Sequence, residues 1–491
     1  MTIPAGSTDA VVVNPTKRIA GNIAFMLSND VVTRLTTFIL YALIARFLGM
    51  REFGQMSLAL TLLNTFQMIA PAGLKLFITR EVSRDKRKTD LYIVNGNLVA
   101  IVTSSLSIVA LCVLVLALDY ETDTAWTILL VSLGLLPFSL CIICESIFQA
   151  WEKMHFIAQA NIPRNIVFIL LAVLILSRGY NIYFLGLLMP ISYILMLGIE
   201  RWLLVRNITR PRARLDPRFS TGMAKSASAF LGFQVIIAAT GSFMYILLSK
   251  VGSESEVGLY NAATQLMAPV TLVYQSVVMS VFPLMCQKFD LGIGGLKRVS
   301  DRLIELLLTI AIPAAIALFF LAGDILLLIY GNAGFAQAAI IIRFLVVSLL
   351  LHAFTAVLGR VLLASHREKI VLRIVIIQTT ITILLGFLLV SLYGLAGAVI
   401  TALVGAVLDF ALHYVETSKL FPNVIPWRSL WKAALASLGM IAILALPTHL
   451  NVWVAALLAC GIYAGIWLGM AILSAGGIAR LKTRYLTLWS E

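Results

Sequence analysis

Charge is what this sequence has least of. Only 12% of its 491 residues are Asp, Glu, Lys or Arg, with 23 acidic residues against 37 basic ones. A soluble globular domain carries about 25% charged and ~45–50% apolar residues. Here 60% of the residues are hydrophobic and the mean hydropathy is +0.98, which excludes a soluble fold and indicates a polytopic membrane protein. Residues 1–18 lack the apolar core of a cleavable signal peptide, so the first helix is expected to insert uncleaved. The loops expected on the outer face, such as those around Asp119–Thr124, Ser177–Asn181 and Ser391–Gly394, lack the length for an extramembrane domain. Cysteine is scarce: Cys112, Cys141, Cys144, Cys286 and Cys460 all fall in or at the ends of apolar stretches. The Cys141-x-x-Cys144 pair sits inside one such stretch and reads as two small packing residues rather than a metal or redox motif.

Apolar runs long enough to span a bilayer give about fourteen candidates: 19–46, 53–78, 91–118, 125–149, 156–176, 182–205, 226–249, 257–284, 302–321, 336–364, 370–390, 395–417, 432–447 and 453–473. Basic residues crowd alternate connections, as in Arg80–Lys88, Arg206–Arg218 and Lys288–Arg302, whereas the opposite side holds only Arg46, Arg51, Arg178 and Lys250. The positive-inside rule then places both termini in the cytoplasm. The net charge of +14 is thereby a topology signal, with anionic membrane lipids as secondary partners and no role for nucleic acid.

The longest connection, Arg206 to Met223, is basic and contains Pro211 and Pro217, as a linker between two halves would. Echoes across it support an internal repeat. Leu48-Gly49 with Glu52-Phe53-Gly54 is matched by Val251-Gly252 with Glu256-Val257-Gly258, and Gln149–Lys153 by Leu363–Lys369, offset by roughly 205 to 215 residues. The expected fold is all-α: a six-helix lobe over 1–205, a cytoplasmic basic linker over 206–225, a second six-helix lobe over 226–417, and two further helices with a basic tail over 418–491. Two such lobes are expected to face a central cavity and to alternate its access.

Five ionisable residues lie deep in these spans: Asp30, Arg34, Arg164, Arg343 and Asp409. A charge at that depth costs ~2.5–3.5 kcal/mol on insertion scales and usually faces a bundle interior or a wet cavity. Asp30 and Arg34 stand one helical turn apart, where each offsets part of the other's desolvation; they serve either a cavity or an internal pair that locks the first helix. Lys75 and Arg360 lie nearer span ends, where snorkelling competes with a cavity role. Asp409 and His413 are also at i and i+4, suited to a protonation site for H+ or Na+ coupling or to an interhelical hydrogen-bonding pair. Pro71, Pro137, Pro163, Pro190, Pro269 and Pro313 interrupt spans and can kink or hinge them. Ile478, Leu481, Tyr485 and Leu488 recur at helical spacing among Arg480, Lys482 and Arg484, as in an interfacial helix or a disordered basic tail.

The run Ala42-Leu43-Ile44-Ala45-Arg46-Phe47-Leu48-Gly49-Met50-Arg51-Glu52-Phe53-Gly54 resembles the "ARxLGxxxFG" turn of Wzx-type polysaccharide flippases, in the MATE/oligosaccharidyl-lipid exporter superfamily. Ala72-Gly73-Leu74, Thr79–Val82, Val257–Ala263, Phe282-Pro283-Leu284, Leu328–Gly331 with Phe335, and Gly394–Ala398 resemble further elements in the family's order. The matches run from about residue 19 to 417. One departure is the region before Lys250, where relatives carry an acidic residue and this chain has Tyr245 and Ser249.

The resemblance implies a non-enzymatic flippase of the bacterial inner membrane. It would carry undecaprenyl-pyrophosphate-linked O-antigen or exopolysaccharide units outward, with polysaccharide polymerase machinery as a possible partner and no cofactor beyond a coupling ion. Arg34, Asp30, Lys75, Arg164, Arg343 and Arg360 would line its substrate cavity, guanidinium groups pairing with pyrophosphate oxygens. Two competing readings are a cation-coupled multidrug exporter of the same superfamily, which favours an acidic cavity, and a membrane glycosyltransferase or polymerase, which favours a larger outer loop or a carboxylate motif.

Overall fold

A computed structural model describes residues 15–212, 214–228, 231–421, 423–445 and 452–475. Residues 1–14 and the C-terminal segment with its expected helix at 478–488 lie outside the described residues. The described chain is helical throughout, and ten of its helical stretches are long and apolar enough to cross a membrane. It divides into two compact units: residues 1–48 with 58–242, and residues 49–57 with 243–491.

The first unit contains α1 (Pro15–Phe47), most of α2 (Met50–Ile69), α3 (Leu74–Arg84), α4 (Thr89–Ala117), α5 (Thr122–Ser132), α6 (Leu135–Ala150), α7 (His155–Ser177), α8 (Ile182–Asn207) and α9 (Pro217–Ser228). The span at 53–78 breaks where Pro71-Ala72-Gly73 falls. Ala72 and Gly73 take φ of 49° and 75°, a left-handed conformation that glycine accepts and a helix cannot continue through. The span at 125–149 is likewise two helices, separated at Leu133-Gly134. Gly134 is packed so closely that a Cβ there would meet Tyr193 and the Val131 carbonyl at 3.2 Å. Apolar faces of α3, α4, α6, α8 and α9 share one core, including Leu74, Ile78, Ile93, Ile143, Phe148, Leu204 and Met223.

Within the segment expected as a basic linker at 206–225, the chain is anchored to the first unit. Asp216 accepts from the backbone amides of Arg218 and Phe219 at 2.9 and 3.1 Å, an N-cap with Pro217 at the first helical position. The resulting α9 docks on α4, where Asn95 Oδ1 accepts from Ser220 Oγ and the Asp216 amide. The first compact unit therefore continues to residue 242, past the boundary at 205.

The second unit holds the C-terminal end of α10 (Leu231–Val251), then α11 (Glu254–Asp290), α12 (Ile293–Tyr330), α13 (Ala338–Ala364), α14 (Glu368–Ser418), α15 (Trp427–Leu444) and α16 (Val452–Ala475). A reciprocal capping box starts α11: Ser253 Oγ accepts from the Glu256 amide, and Glu256 Oε2 accepts from the Ser253 amide, each at 3.2 Å. Within α14 the chain reverses at Gly394, whose φ of 55° and ψ of −129° are non-helical. Arms 368–393 and 395–418 then pack together, leaving Gly405 no room for more than close contact with Thr382. The terminal pair α15 and α16 forms its own cluster of Ala436, Met440, Ala459 and Tyr463 and belongs to the second unit rather than standing apart.

The start of α2 crosses α11 and belongs to this second unit. Gly54 and Gly258 make the crossing possible. A Cβ on Gly54 would collide with the Glu254 carbonyl, and one on Gly258 would come within 2.8 Å of the Met50 carbonyl. Arg51 Nε and Gln55 Nε2 each donate to Glu254 Oε2 at 3.0 Å, and Asn261 donates to Ser57 Oγ at 2.8 Å. Phe53 completes the contact against Tyr330 and Phe335, with ring centroids at 5.5 and 5.1 Å.

Candidate functional site

A polar cavity of about 230 Å³ opens inside the first unit, between α1, α2, α6, α7 and α8. Its apolar walls are Leu40, Leu60, Leu63, Phe138, Phe168, Met189 and Met196. Its polar lining comes from Thr33, Thr36 and Thr37 of α1, Asn64 and Gln67 of α2, Glu145 of α6, Asn161, Arg164 and Asn165 of α7, and Tyr193 of α8.

Arg164 is the centre of this lining and is buried, 7% exposed. Its Nη1 donates to Asn161 Oδ1 and Asn165 Oδ1 at 3.2 and 3.3 Å, and its Nε to Ser192 Oγ at 3.3 Å. The guanidinium lies over the Tyr193 ring, 4.2 Å from its centroid, and Tyr193 OH accepts from Gln67 at 2.9 Å. All these partners are neutral, and among the described residues no carboxylate comes within ion-pair distance of Arg164. A buried guanidinium fixed by neutral oxygens keeps its full positive charge at low dielectric, the condition for binding an anion strongly.

On the same side, Lys75 of α3 pairs with Glu145 at 2.7 Å. Glu200 and Asp30 lie within electrostatic range of the same ammonium. Glu200 is fully buried beside Cys141, and neither carboxylate oxygen meets a hydrogen-bond partner among the described residues. Cys141 and Cys144 are free, buried thiols; Cys144 belongs to the apolar core, and Cys141 Sγ faces the Tyr193 carbonyl at 3.8 Å.

Of the residues expected at a substrate cavity, Arg164 lines this one and Lys75 reaches it through Glu145. Asp30 and Arg34 do not line it. They are exposed, and among the described residues no ion pair joins them. The reason is helical phase. Helix α1 packs on α7 through Asn29 and Thr33, which accept from Asn161 Nδ2 at 2.8 and 3.1 Å, and positions 30 and 34 point about 100° away from that face.

Arg343 and Arg360 belong to the second unit. Arg343 is exposed and donates to the Phe319 carbonyl at 3.2 Å; Arg360 lies over the Phe282 ring at 5.5 Å. Asp409 and His413 do meet, Nδ1 to Oδ1 at 3.1 Å, with the His413 ring packed where Gly359 of α13 leaves space. Before Lys250, where the family resemblance leads to the expectation of an acidic residue, Tyr245 shares a neutral network with Asn261 and Thr264, at 3.3 and 3.0 Å.

Glu200, Asn161, Asn165 and Tyr193 complete the cluster without having stood out in the sequence. Glu200 adjoins Arg201 at a span end and reads there as an interfacial charge. Asn161 and Asn165 carry the one available signal, two amides at i and i+4 flanking a deep arginine in an otherwise apolar run.

Residues 19–289 match the family model for polysaccharide biosynthesis proteins. The probable low-salt glycan biosynthesis flippase Agl15 of Haloferax volcanii is 21% identical over 408 residues, 82% of this chain and 84% of its own. Among solved structures, the lipid II flippase MurJ in an inward closed conformation aligns with a TM-score of 0.73 at 16% identity, over 92% of this chain and 98% of that one. An inward-facing multidrug resistance MATE family transporter of the MOP superfamily aligns at 0.63 and 14% identity, over 79% and 94%. At these identities the structural likeness concerns the fold, a polytopic all-α membrane fold. The sequence match spans more than half of the chain, which therefore belongs to the polysaccharide biosynthesis protein family.

Proposed function

We propose that this protein is a flippase for lipid-linked oligosaccharides. It moves a polyprenyl-pyrophosphate-linked repeat unit of an O-antigen or exopolysaccharide from the cytoplasmic to the outer leaflet of a bacterial inner membrane, by alternating access. The carrying observation is Arg164, a buried cation whose hydrogen-bond partners are all neutral, set in a cavity of amides, hydroxyls and tyrosines whose one carboxylate, Glu145, is paired with Lys75. A pyrophosphate supplies the missing negative charge, and its oxygens match the paired donors of guanidinium. The neighbouring amides and hydroxyls offer both donors and acceptors, as sugar hydroxyls require. The family and the name of the Haloferax relative support the same substrate class.

In this reading Arg34, Arg343 and Arg360 contact the phosphates or the glycan at other stages of the cycle. Asp409 and His413 serve H+ or Na+ coupling. Both termini lie in the cytoplasm, and a polymerase takes up the delivered units.

The test is the pool of lipid-linked intermediates in a deletion strain. Accumulation of polyprenyl-pyrophosphate repeat units with loss of surface polysaccharide, reversed by the wild-type gene and not by Arg164→Ala, is the expected outcome. Normal polysaccharide with heightened sensitivity to cationic dyes would replace this reading by a multidrug exporter, a role to which the acidic pair Glu145 and Glu200 is suited.

A further inference from the structure

A second basic site lies at the far end of α8, away from the polar cavity. Arg201, Trp202, Val205, Arg206 and Arg210 line an open groove of about 670 Å³. Trp202 and Val205 are exposed apolar side chains on this face, at the basic end of a span running from Ile182 to Asn207. The Arg206 guanidinium lies 5.2 Å from the Trp202 ring centroid, one helical turn away. Among the described residues none of the three arginines forms an ion pair.

Of the neighbouring groups able to neutralise these charges, the helix end and Asp90 are already engaged. The C-terminal end of α8 carries partial negative charge, but Lys153 Nζ donates to the Asn207 carbonyl at 3.0 Å. Asp90 accepts from Thr209 Oγ1, which also anchors the segment that holds Arg210. Glu200, next to Arg201 in sequence, is fully buried, about 100° round the helix, and offsets part of the charge of Arg201 alone. Three cations thus converge beside an exposed indole where the span leaves the apolar layer. Tryptophan is enriched at the membrane interface, and guanidinium recognises phosphate with two parallel hydrogen bonds.

We propose that this groove binds the phosphate headgroup of an anionic phospholipid of the surrounding membrane, its acyl chains lying along Trp202 and Val205. The site is separate from the Arg164 cavity and does not depend on which substrate that cavity carries.

The experiment is native mass spectrometry of the full-length protein released from detergent after addition of phosphatidylglycerol or phosphatidylcholine. Selective retention of phosphatidylglycerol is expected, weakened about fivefold for each arginine removed, so Arg206→Gln/Arg210→Gln loses roughly 25-fold. Arg206→Lys/Arg210→Lys retains most of the binding, and Arg298→Gln, an exposed arginine on α12, behaves as wild type. Equal retention of the two lipids, undiminished binding by the double Gln variant, or the same loss in Arg298→Gln would overturn the proposal. So would displacement of phosphatidylglycerol by an equimolar polyprenyl phosphate, which would reassign the groove to the transported lipid. Thermal melting in detergent, unchanged in the variants, separates loss of binding from loss of fold.

Discussion

Lys75 Nζ stands 2.7 Å from Glu145 Oε2 and also lies within electrostatic range of Glu200, whose carboxylate oxygens have no hydrogen-bond partner among the described residues. Removing Lys75 deprives Glu145 of its ion-pair partner and Glu200 of one of its neighbouring cations. The lysine side chain is 39% exposed, so solvent moderates the loss, and Lys75→Met is expected to cost about 1–3 kcal/mol. The double variant Lys75→Met/Glu145→Met should recover most of it. Thermal melting of the purified variants in detergent measures both; additive losses would show that the pair does not act as a pair.

Arg164 makes a sharper prediction because it mixes binding with structure. Hydrogen bonds to a charged group contribute ~1.5–3 kcal/mol, so Arg164→Ala should weaken binding of a pyrophosphate-bearing lipid by about 10- to 100-fold. Arg164→Lys keeps the charge but loses the planar fork and should fall between. Binding of a polyprenyl pyrophosphate to purified protein reads this directly. Wild-type affinity in Arg164→Ala would move the phosphate site elsewhere.

The crossing of α2 over α11 depends on two missing side chains. Gly54→Val pushes a methyl-bearing carbon into the Glu254 carbonyl, and Gly258→Val does the same at Met50. Overpacking of this kind costs ~1–3 kcal/mol, and each variant should melt earlier than wild type. Arg51→Ala should change stability by less than about 1 kcal/mol, because Arg51 is more than half exposed in its pair with Glu254.

Asp409 and His413 form a contact within one helix, which by itself fits packing as well as coupling. In proteoliposomes with an imposed H+ or Na+ gradient, Asp409→Asn is expected to lose the gradient-driven part of transport while keeping downhill exchange. Full gradient-driven transport in that variant would assign the pair to packing alone.

The spans and their order were readable because twenty apolar residues in a row have few alternatives to crossing a bilayer. So was the break at Pro71-Ala72-Gly73, where proline and glycine act on their own backbone. The direction a side chain takes was not. A membrane helix is apolar on nearly every face, so periodicity does not reveal which side meets a neighbour. Asp30 and Arg34 therefore read as cavity residues although α1 turns Asn29 and Thr33 toward α7. Glu200 was concealed for a related reason: next to Arg201, a carboxylate at a span end resembles surface charge until its burial is seen. The helix at Pro217 carried its own signal in Asp216-Pro217, outweighed by the basic residues around it.

The α2–α11 clasp also sets a schedule for the ribosome. Arg51 and Ser57 find their partners 203 and 204 residues later in the chain. At about 5–20 residues per second, the start of α2 waits some 10–40 s before Glu254 and Asn261 are made. During that interval Gln55 and Ser57, both buried in the finished protein, have no native partner from α11. The clasp therefore closes only after α11 has emerged, so it belongs to the late steps of folding.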